Sequence, residues 1–350
     1  MADFLADEKV PSGLSRRRLL VAHLCAMPSL ADIQRPIAAE LKEFEPRFRE
    51  AMRSRTALLD RIMHYIVRRK GKQMRPMFTL LSARLFGPVT EGAFTAASLI
   101  ELLHTATLVH DDVVDGSPMR RGFFSINALW KNKIAVLVGD YLLSRGLLLA
   151  VDKGEFELLR IVSRAVREMS EGELLQLEKT RSLNFNEEIY FDIIRQKTAS
   201  LIAACCACGA SASGRSVDEI ERMRQFGELV GIAFQIKDDL FDYGSGLDIG
   251  KPSGLDIKEK KLTLPLIHAL QKVDKTDRRF MVHTVKNKSD DGPAVARVIE
   301  LVVQAGGIAH ATRCMYDYRD RAIAVLHTFP QNDARDALEG LVQLTVERTK

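Results

Sequence analysis

The feature that most constrains the fold is a helical spacing of apolar residues, which begins at Asp32 and continues along the rest of the chain. In the segment PIAAELKEFEPRFREAM they recur in steps of three and four, at Ile37, Leu41, Phe44 and Phe48. This spacing places them on one face of an α-helix. We find neither the strict alternation typical of strands nor a repeat of about 20–50 residues. The sequence therefore predicts an all-α fold.

Glycine and proline divide this pattern into separate predicted helices. Gly71 and Pro76 separate a helix over 57–69 from one that ends near Gly87, and Gly116 ends a long apolar helix over 91–115. The helix over 127–152 is apolar nearly all round, so we expect it to be central. Later helices are predicted over 155–179, 187–213 (capped by Asn184 or Asn186), 216–243, 262–272 and after Pro330. The Gly-, Asp- and Lys-rich segment 244–261 predicts a mobile loop.

A length of 350 residues is compatible with one large helical domain, which we expect over 31–350. Residues 1–30 lack sustained periodicity and predict an extension or a disordered segment. Arg16-Arg17-Arg18, followed by apolar residues, imitates a secretory signal that His23 interrupts. An extension, or a start codon placed too early with Met27 as the alternative start, is the favoured interpretation.

Composition and charge exclude several classes of function. The net charge of +5 is modest and spread along the chain, which does not indicate nucleic-acid binding. We find no run that approaches the roughly 18 apolar residues of a membrane span. Cys205, Cys206 and Cys208 lie among small apolar residues, without a His or second Cys pair at zinc-like spacing, and predict core positions. The five cysteines form no pairing pattern, so we expect a cytoplasmic protein.

Two acid clusters of the same form stand out, each at the end of an apolar helical run. They are Asp111-Asp112-x-x-Asp115 and Asp238-Asp239-x-x-Asp242. Positions i and i+4 share a helix face, so the outer acids of each cluster project together. A solvated surface face is the plain alternative for one cluster alone. Acids at the end of a buried helix are costly unless a cation compensates them, and oxygen ligands of this kind suit Mg²⁺.

Several cations lie near predicted helix breaks and could bind phosphate. Lys72 and Arg75 lie between Gly71 and Pro76, where a helix N-terminus adds backbone N–H donors. Arg120 and Arg121 follow the first acid cluster, while Lys197 and Lys251 lie further along the chain. Each cation alone is weak evidence. Together with the two acid clusters they suggest two polyphosphate substrates, of which only one need be held through metal.

The chain resembles the all-trans polyprenyl diphosphate synthases, the family of farnesyl, geranylgeranyl and longer-chain synthases. The resemblance runs from about Ile33 to the C-terminus. It is carried in order by GKQMRP, HTATLVHDDVVDGSPMRRG, VGDYLLSRG, RQKTASLI, FQIKDDLFDY and GKPSGLDIKEKKLTLPLI. The implied fold is a single large helical bundle of the isoprenoid synthase type, around a central apolar cavity.

The resemblance also implies a role for each matching residue. Up to three Mg²⁺ ions are expected at the six acids of the clusters, Asp111, Asp112, Asp115, Asp238, Asp239 and Asp242. Isopentenyl diphosphate is expected at Lys72, Arg75, His104 and Arg121, and the allylic prenyl diphosphate at Arg120, Lys197, Thr198, Gln235 and Lys251. Asp111, Asp115, Arg120, Lys197 and Asp238 are the expected catalytic residues. The implied reaction is ionisation, condensation and elimination, with a homodimer as the working form. One departure is Lys260, where many relatives have Gly.

Product length is expected to depend on residues just before the first acid cluster. Short-chain relatives put a bulky aromatic residue at the position of Ala106 or Thr107, and both are small here. We therefore expect a product of the C30–C50 class used for quinone side chains. The alternative is a C20 product, if Leu103 or a residue on a neighbouring helix closes the cavity.

Four rival functions are weaker. A class I terpene cyclase would need neither the second basic group nor a second cluster of the form DDLFD. A non-catalytic subunit of a heteromeric synthase would be expected to lack acids from one or both clusters, and this chain keeps them all. A catalytic subunit of such an assembly, and a helical interaction protein, remain alternatives.

Overall fold

The structure is a computed structural model that describes residues 28–68, 71, 73–120, 122–182, 186–244 and 254–348. About four fifths of these residues are helical and only two short strands are present among them, which confirms the predicted all-α class. In chain order the helices are α1 (Leu30–Gln34), α2 (Ala38–Met52), α3 (Ala57–Val67), α4 (Met74–Arg84), α5 (Glu91–Val114), α6 (Ile126–Asp152), α7 (Phe156–Ser182), α8 (Glu187–Ile194), α9 (Ser200–Ala212), α10 (Val217–Phe241), α11 (Leu255–Lys258), α12 (Leu264–Lys272), α13 (Lys275–Asn287), α14 (Gly292–Gln304), α15 (Gly307–Leu326) and α16 (Asp333–Glu347).

Local side chains set where several of these helices begin. The Ser216 hydroxyl and the Glu219 carboxylate form a capping box at the start of α10. Asn186 caps α8 by accepting a hydrogen bond from the backbone N–H of Ile189 (2.8 Å), so one of the two predicted caps is confirmed. The other predicted cap, Asn184, and most of the predicted extension 1–30 lie outside the described residues.

Three short departures from the predicted elements lie near the acid clusters. A hairpin of two antiparallel strands, β1 (Met119–Arg120) and β2 (Phe123–Phe124), follows the first cluster, with Arg120 opposite Phe123. The single helix predicted over 187–213 is interrupted by a π-helical turn, Arg195–Ala199. The predicted loop 244–261 contains the short helix α11 where the structure describes it.

The main hydrophobic core lies between α4, α5, α9, α10 and α16. Its fully buried members include Phe78, Leu99 and Phe226. Cys205, Cys206 and Cys208 are also fully buried in this core, and burial raises the pKa of the Cys205 thiol to about 12. The interpretation of this cysteine trio as core residues is confirmed.

Two helices, α5 and α6, are long and apolar enough to cross a membrane by length and composition, contrary to the sequence expectation. The most apolar window of α5 is 72% buried inside the protein, whereas that of α6 is only 33% buried. A third candidate is the pair α14–α15, bent by 61°. The prediction that the 127–152 helix is central is thus wrong for one of its faces. Leu137 and Leu148 on that face are 55% and 47% exposed.

Candidate active site

The first acid cluster lies at the C-terminal end of α5 and divides into exposed and buried members. Asp111 and Asp115 are exposed, whereas Asp112 is buried. The Asp112 carboxylate accepts a hydrogen bond from Nε of Arg120 (2.6 Å), and its carbonyl accepts one from the Asn127 amide (3.0 Å). Asp112 therefore joins the end of α5 to the hairpin and to the start of α6, while its two neighbours remain open to a ligand.

The exposed Asp111 lies in a field that disfavours its negative charge. Partial burial raises the pKa of Asp111, and the nearby Glu173 carboxylate raises it further. Arg120 and Lys197 act in the opposite direction, and Asp115 adds to the increase. An excess of carboxylates over cations is the condition under which a bound divalent cation is most stabilising. The oxygen-only donors of this cluster therefore fit Mg²⁺.

Behind the first cluster, the His110 ring of α5 lies directly over Gly139 of α6. A Cβ on Gly139 would lie 2.1 Å from Nε2 of His110, the residue that precedes Asp111. The same Nε2 atom is 3.2 Å from the carbonyl of Val136 and 3.5 Å from the Asp140 carboxylate. Gly139, in the VGDY segment, thus leaves the space that the His110 ring occupies.

The second acid cluster lies at the C-terminal end of α10, and each of its acids has a different partner. Asp238 accepts a hydrogen bond from Arg348, near the C-terminus (2.5 Å). Burial raises the pKa of Asp238, and the Arg348 guanidinium opposes this increase. Asp242 accepts backbone N–H groups of Leu255 (2.7 Å) and Asp256 (3.2 Å), so it caps the start of α11.

Asp239 is the most deeply buried acid of the second cluster. Its carboxylate accepts hydrogen bonds from the Tyr190 hydroxyl (2.7 Å) and the Gln235 amide (3.0 Å). Gln235 in turn accepts one from the Thr198 hydroxyl (2.8 Å). Burial raises the pKa of Asp239 to about 7, although both hydrogen bonds act to lower it. These contacts form one chain of polar side chains from Thr198 to Tyr190.

The π-helical turn carries Lys197 and Thr198 into the same cleft. π-Helical turns are rare and often occur at functional sites. The turn packs against α7 at Gly172, where a Cβ would lie 2.8 Å from the backbone nitrogen of Lys197. The Lys197 ammonium contacts the Glu173 carboxylate (2.5 Å) and donates a hydrogen bond to the side-chain amide oxygen of Gln176 (2.9 Å). Two side chains of α7 therefore hold Lys197 in the cleft.

A cavity of about 240 Å³ lies beside the π-helical turn and the second cluster. Its wall is partly polar and partly apolar, and comprises Gln176, Tyr190, Ile193, Ile194, Lys197, Thr198, Gln235, Asp239, Asp256, Lys261, Leu262 and Thr263. Asp256 and Lys261 were not singled out from the sequence. Burial raises the pKa of Asp256 to about 6, and the neighbouring Asp242 carboxylate adds to this effect.

The predicted basic residues of the isopentenyl diphosphate site are partly brought together. Nη2 of Arg75 contacts Nε2 of His104, and Nη1 of Arg75 lies 3.3 Å from the Glu101 carboxylate. The other two predicted members, Lys72 and Arg121, lie outside the described residues, as does Lys251 of the predicted allylic site. The structure thus joins α4 to α5 at one part of the predicted site.

Comparison with known proteins identifies the family. The family model described as polyprenyl synthetase matches residues 56–302, more than half of the chain. The chain belongs to this family. It is therefore a prenyltransferase of the polyprenyl diphosphate synthase type, as the sequence resemblance implies.

Three relatives illustrate the range of the polyprenyl synthetase family. The chain is 36% identical to the octaprenyl diphosphate synthase of Escherichia coli over 302 residues, which covers 86% of this chain and 93% of that protein. A polyprenyl synthase from Caulobacter crescentus, solved with calcium and isoprenyl diphosphate, has a TM-score of 0.84 at 35% identity and covers 93% of this chain and 99% of that one. A geranylgeranyl pyrophosphate synthase from Bacteroides thetaiotaomicron has a TM-score of 0.78 at 39% identity, with coverages of 91% and 99%.

At Lys260, where the sequence departs from the polyprenyl synthetase pattern, the backbone has a positive φ. Lys260, which stands where many relatives have Gly, has a φ of +58°. Glycine adopts this left-handed region without the steric cost that other residues bear. The following Lys261 contacts the carboxylates of Glu259 (2.5 Å) and Asp256 (4.0 Å), so this turn presents a cation to the cavity.

The three predicted chain-length residues of this synthase have different surroundings. Leu103 and Ala106 are buried, at 1% and 2% exposure, in the core clusters on either side of α5. Thr107 is only half-buried, and its hydroxyl donates a hydrogen bond to the carbonyl of His104 (2.8 Å). Thr107 thus lies on the partly open stripe of α5 that also carries His104 and Asp111.

Proposed function

We propose that this synthase condenses isopentenyl diphosphate with an allylic prenyl diphosphate, using Mg²⁺ held between its two acid clusters. The observation that carries this proposal is the position of Lys197. It lies within the electrostatic reach of Asp111 in the first cluster and lines the same cavity as Asp239 in the second. A diphosphate in this cleft would have acids that bind metal on either side of it, and the Lys197 ammonium would lie between them.

The acids divide by how open their carboxylates are. Asp111 and Asp115 are exposed, so these two would be direct metal ligands, and the partly exposed Asp238 would join them by exchanging its Arg348 partner for the metal. The carboxylates of Asp112, Asp239 and Asp242 accept hydrogen bonds from protein donors. These three acids would orient the site, or would exchange one of these hydrogen bonds for a bond to the metal. When bound, Mg²⁺ would neutralise the charge that develops on the departing diphosphate.

The remaining polar residues bind and orient the two substrates. Arg120, Lys197, Thr198 and Gln235 are assigned to the allylic diphosphate, together with Lys251. Arg75 and His104, which touch each other, are assigned with Lys72 and Arg121 to the diphosphate of isopentenyl diphosphate. Holding both reactants in one geometry lowers the entropic part of the barrier.

The reaction itself follows from this arrangement. Ionisation of the allylic substrate gives a cation that the double bond of isopentenyl diphosphate attacks, and a proton then passes to the released diphosphate. Apolar residues beside the cluster, such as Ile193 and Ile194 of the cavity wall, exclude water that would quench the cation.

The proposed product is a chain of the C30–C50 class. Relatives of similar identity make octaprenyl and geranylgeranyl products, so overall similarity does not fix the length. The half-buried Thr107 supports the longer product because a small residue there leaves the stripe beneath Asp111 open.

We further propose that a second copy of the chain covers the exposed face of α6. The φ of Lys131, +73°, interrupts the helical backbone near the start of α6. Beyond this kink, from Lys133 onward, the exposed residues form one stripe: Lys133, Val136, Leu137, Asp140, Ser144, Leu147, Leu148, Val151 and Asp152. Most of them are apolar, and a contiguous apolar stripe of this size is typical of an interaction surface. A homodimer would bury it, and a cytoplasmic location remains the prediction from sequence.

Product sizing tests the proposed function. The purified protein is incubated with farnesyl diphosphate and labelled isopentenyl diphosphate, with Mg²⁺ or with EDTA. We expect Mg²⁺-dependent incorporation into products of C30 or longer. Absence of incorporation would contradict the proposed reaction, and products that stop at C20 would contradict the proposed length.

A further inference from the structure

Outside the active-site cleft, metal-ligating side chains from three helices meet at one point. They are Glu187, the first residue of α8, His268 of α12 and His310 of α15. One ligand atom from each lies within 4.8 Å of the other two. Nε2 of His310 is 3.1 Å from the Glu187 carboxylate, and Nδ1 of His268 is 3.6 Å from the same oxygen.

Two distances in this cluster match those between ligands of one metal ion. Bond lengths of about 2.0–2.1 Å place tetrahedral zinc ligands roughly 3.3–3.4 Å from each other. The separations of 3.1 and 3.6 Å from the Glu187 oxygen bracket this spacing. Cys314 lies beside the cluster, with its Sγ 3.7 Å from Nε2 of His310, but it is not among the residues whose ligand atoms all lie within 4.8 Å of one another.

The two imidazole rings are stacked at this cluster. His268 and His310 have ring centroids 4.1 Å apart and planes inclined by 15°. A coordinated ion lies in the plane of each imidazole ring, so binding of one ion by both histidines requires one ring to rotate.

We propose that Glu187, His268 and His310 form a site for a divalent metal ion of the zinc class. Two imidazole nitrogens favour zinc over Mg²⁺, which prefers oxygen alone. Three protein ligands leave a fourth position for solvent. The ion joins the first turn of α8 to α12 and α15.

This position links the metal site to the active-site wall. Tyr190, which donates a hydrogen bond to Asp239, lies on α8 one turn after Glu187. A metal ion at Glu187 fixes the start of the helix that carries Tyr190. The ligands remain partly exposed, with side-chain exposures of 14% for His268 and 21% for His310, so an ion can enter from solvent.

The competing interpretation is a purely hydrogen-bonded cluster, in which both rings donate to the Glu187 carboxylate. Zinc binding by the full-length protein separates the two. Chelator-treated protein is titrated with Zn²⁺ in excess Mg²⁺, by calorimetry and by metal analysis after desalting. One zinc ion per chain is expected, with affinity reduced by at least about tenfold in His268→Gln and His310→Gln. The matched control is His327→Gln, since His327 ends the same helix and also contacts a glutamate, Glu339 (2.8 Å).

Cobalt tests the imidazole ligands independently. Co²⁺ bound at the site should give visible d–d bands that His310→Gln weakens, and absence of these bands in the unsubstituted protein overturns the proposed site. The Mg²⁺-dependent synthase activity of the histidine variants reports that they are folded, and thermal unfolding reports it for Asp111→Asn. No zinc binding in the unsubstituted protein, or equal binding in His310→Gln, overturns the proposed site. If Asp111→Asn abolishes zinc binding and His310→Gln retains it, the ion lies at the acid clusters instead. That result also overturns the proposed site.

Discussion

Replacing Asp239 with Asn should stabilise the metal-free protein, and increasingly so as the pH rises. Burial raises the pKa of Asp239 from its ordinary value of 3.8 to about 7. Between these two values the folded protein keeps a proton that the unfolded chain has lost. Its stability therefore falls as the pH rises from about 4 to about 7, and stays at the lower level above that. Asn cannot ionise and does not have this pH dependence.

The size of the effect follows from the two pKa values. A difference of one in pKa corresponds to about 1.4 kcal/mol, so the full cost of ionising Asp239 is on the order of 4 kcal/mol above pH 7. At pH 5 it is roughly 1.5 kcal/mol. The advantage of Asp239→Asn should thus grow by about 2–3 kcal/mol between pH 5 and pH 8.5. With an unfolding entropy near 2.1 cal/mol/K per residue, this is a difference of about 4 °C in Tm for a chain of 350 residues.

The assay is thermal unfolding in EDTA at the two pH values. The control is Asp152→Asn, because Asp152 is exposed at the end of α6 and its substitution should show no such trend. An advantage of Asp239→Asn that does not change with pH would refute the assignment of a raised pKa to this carboxyl. Mg²⁺ should reverse the advantage, since the ion compensates the ionised aspartate.

Two further substitutions test the packing and the product length. Gly139→Ala should displace the His110 ring, whose Nε2 lies where the new Cβ would be, at a cost of about 0.5–1.5 kcal/mol and with a loss of turnover. The control is Gly292→Ala, whose Cβ meets no atom within 4 Å, and equal Tm and turnover in the two variants would contradict the prediction. Thr107→Phe should shift the product to C20 or shorter, as measured by chromatography of the dephosphorylated products. Unchanged length in both Thr107→Phe and Ala106→Phe would rule out a floor at these positions.

The helical architecture could be predicted from sequence because each helix has its own apolar spacing and its own end signals. The predicted helix over 91–115 is observed as Glu91–Val114, and that over 216–243 as Val217–Phe241. Spacing within one helix also predicted that the outer acids of each cluster share a face. Contacts of this kind are local and depend only on helix geometry.

Partners from distant parts of the chain could not be predicted in this way. Arg348 is 110 residues from Asp238, and Tyr190 is 49 residues from Asp239. Nothing in the local sequence indicates such pairs, since they depend on how the helices are arranged in space. The cluster of Glu187, His268 and His310 was missed for the same reason.

Two local features also escaped prediction, each for a physical reason. The π-helical turn at Arg195–Ala199 contains no glycine or proline that would indicate a break in the helix. The helix over 127–152 is apolar all round, which is the pattern of a helix buried within one chain. It is equally the pattern of a helix whose exposed face is covered by a second chain, and sequence alone does not distinguish the two.

Turnover of Asp111→Asn, Asp238→Asn and the double variant tests most directly whether the two acid clusters act together on one diphosphate. Each single substitution should lower kcat by orders of magnitude without unfolding the protein, because each removes a proposed metal ligand from one wall. The double substitution should cost little more than the worse single one, as expected for residues that act as a unit. Near-normal turnover of either single variant, in protein shown to be folded, would contradict a shared metal-dependent site.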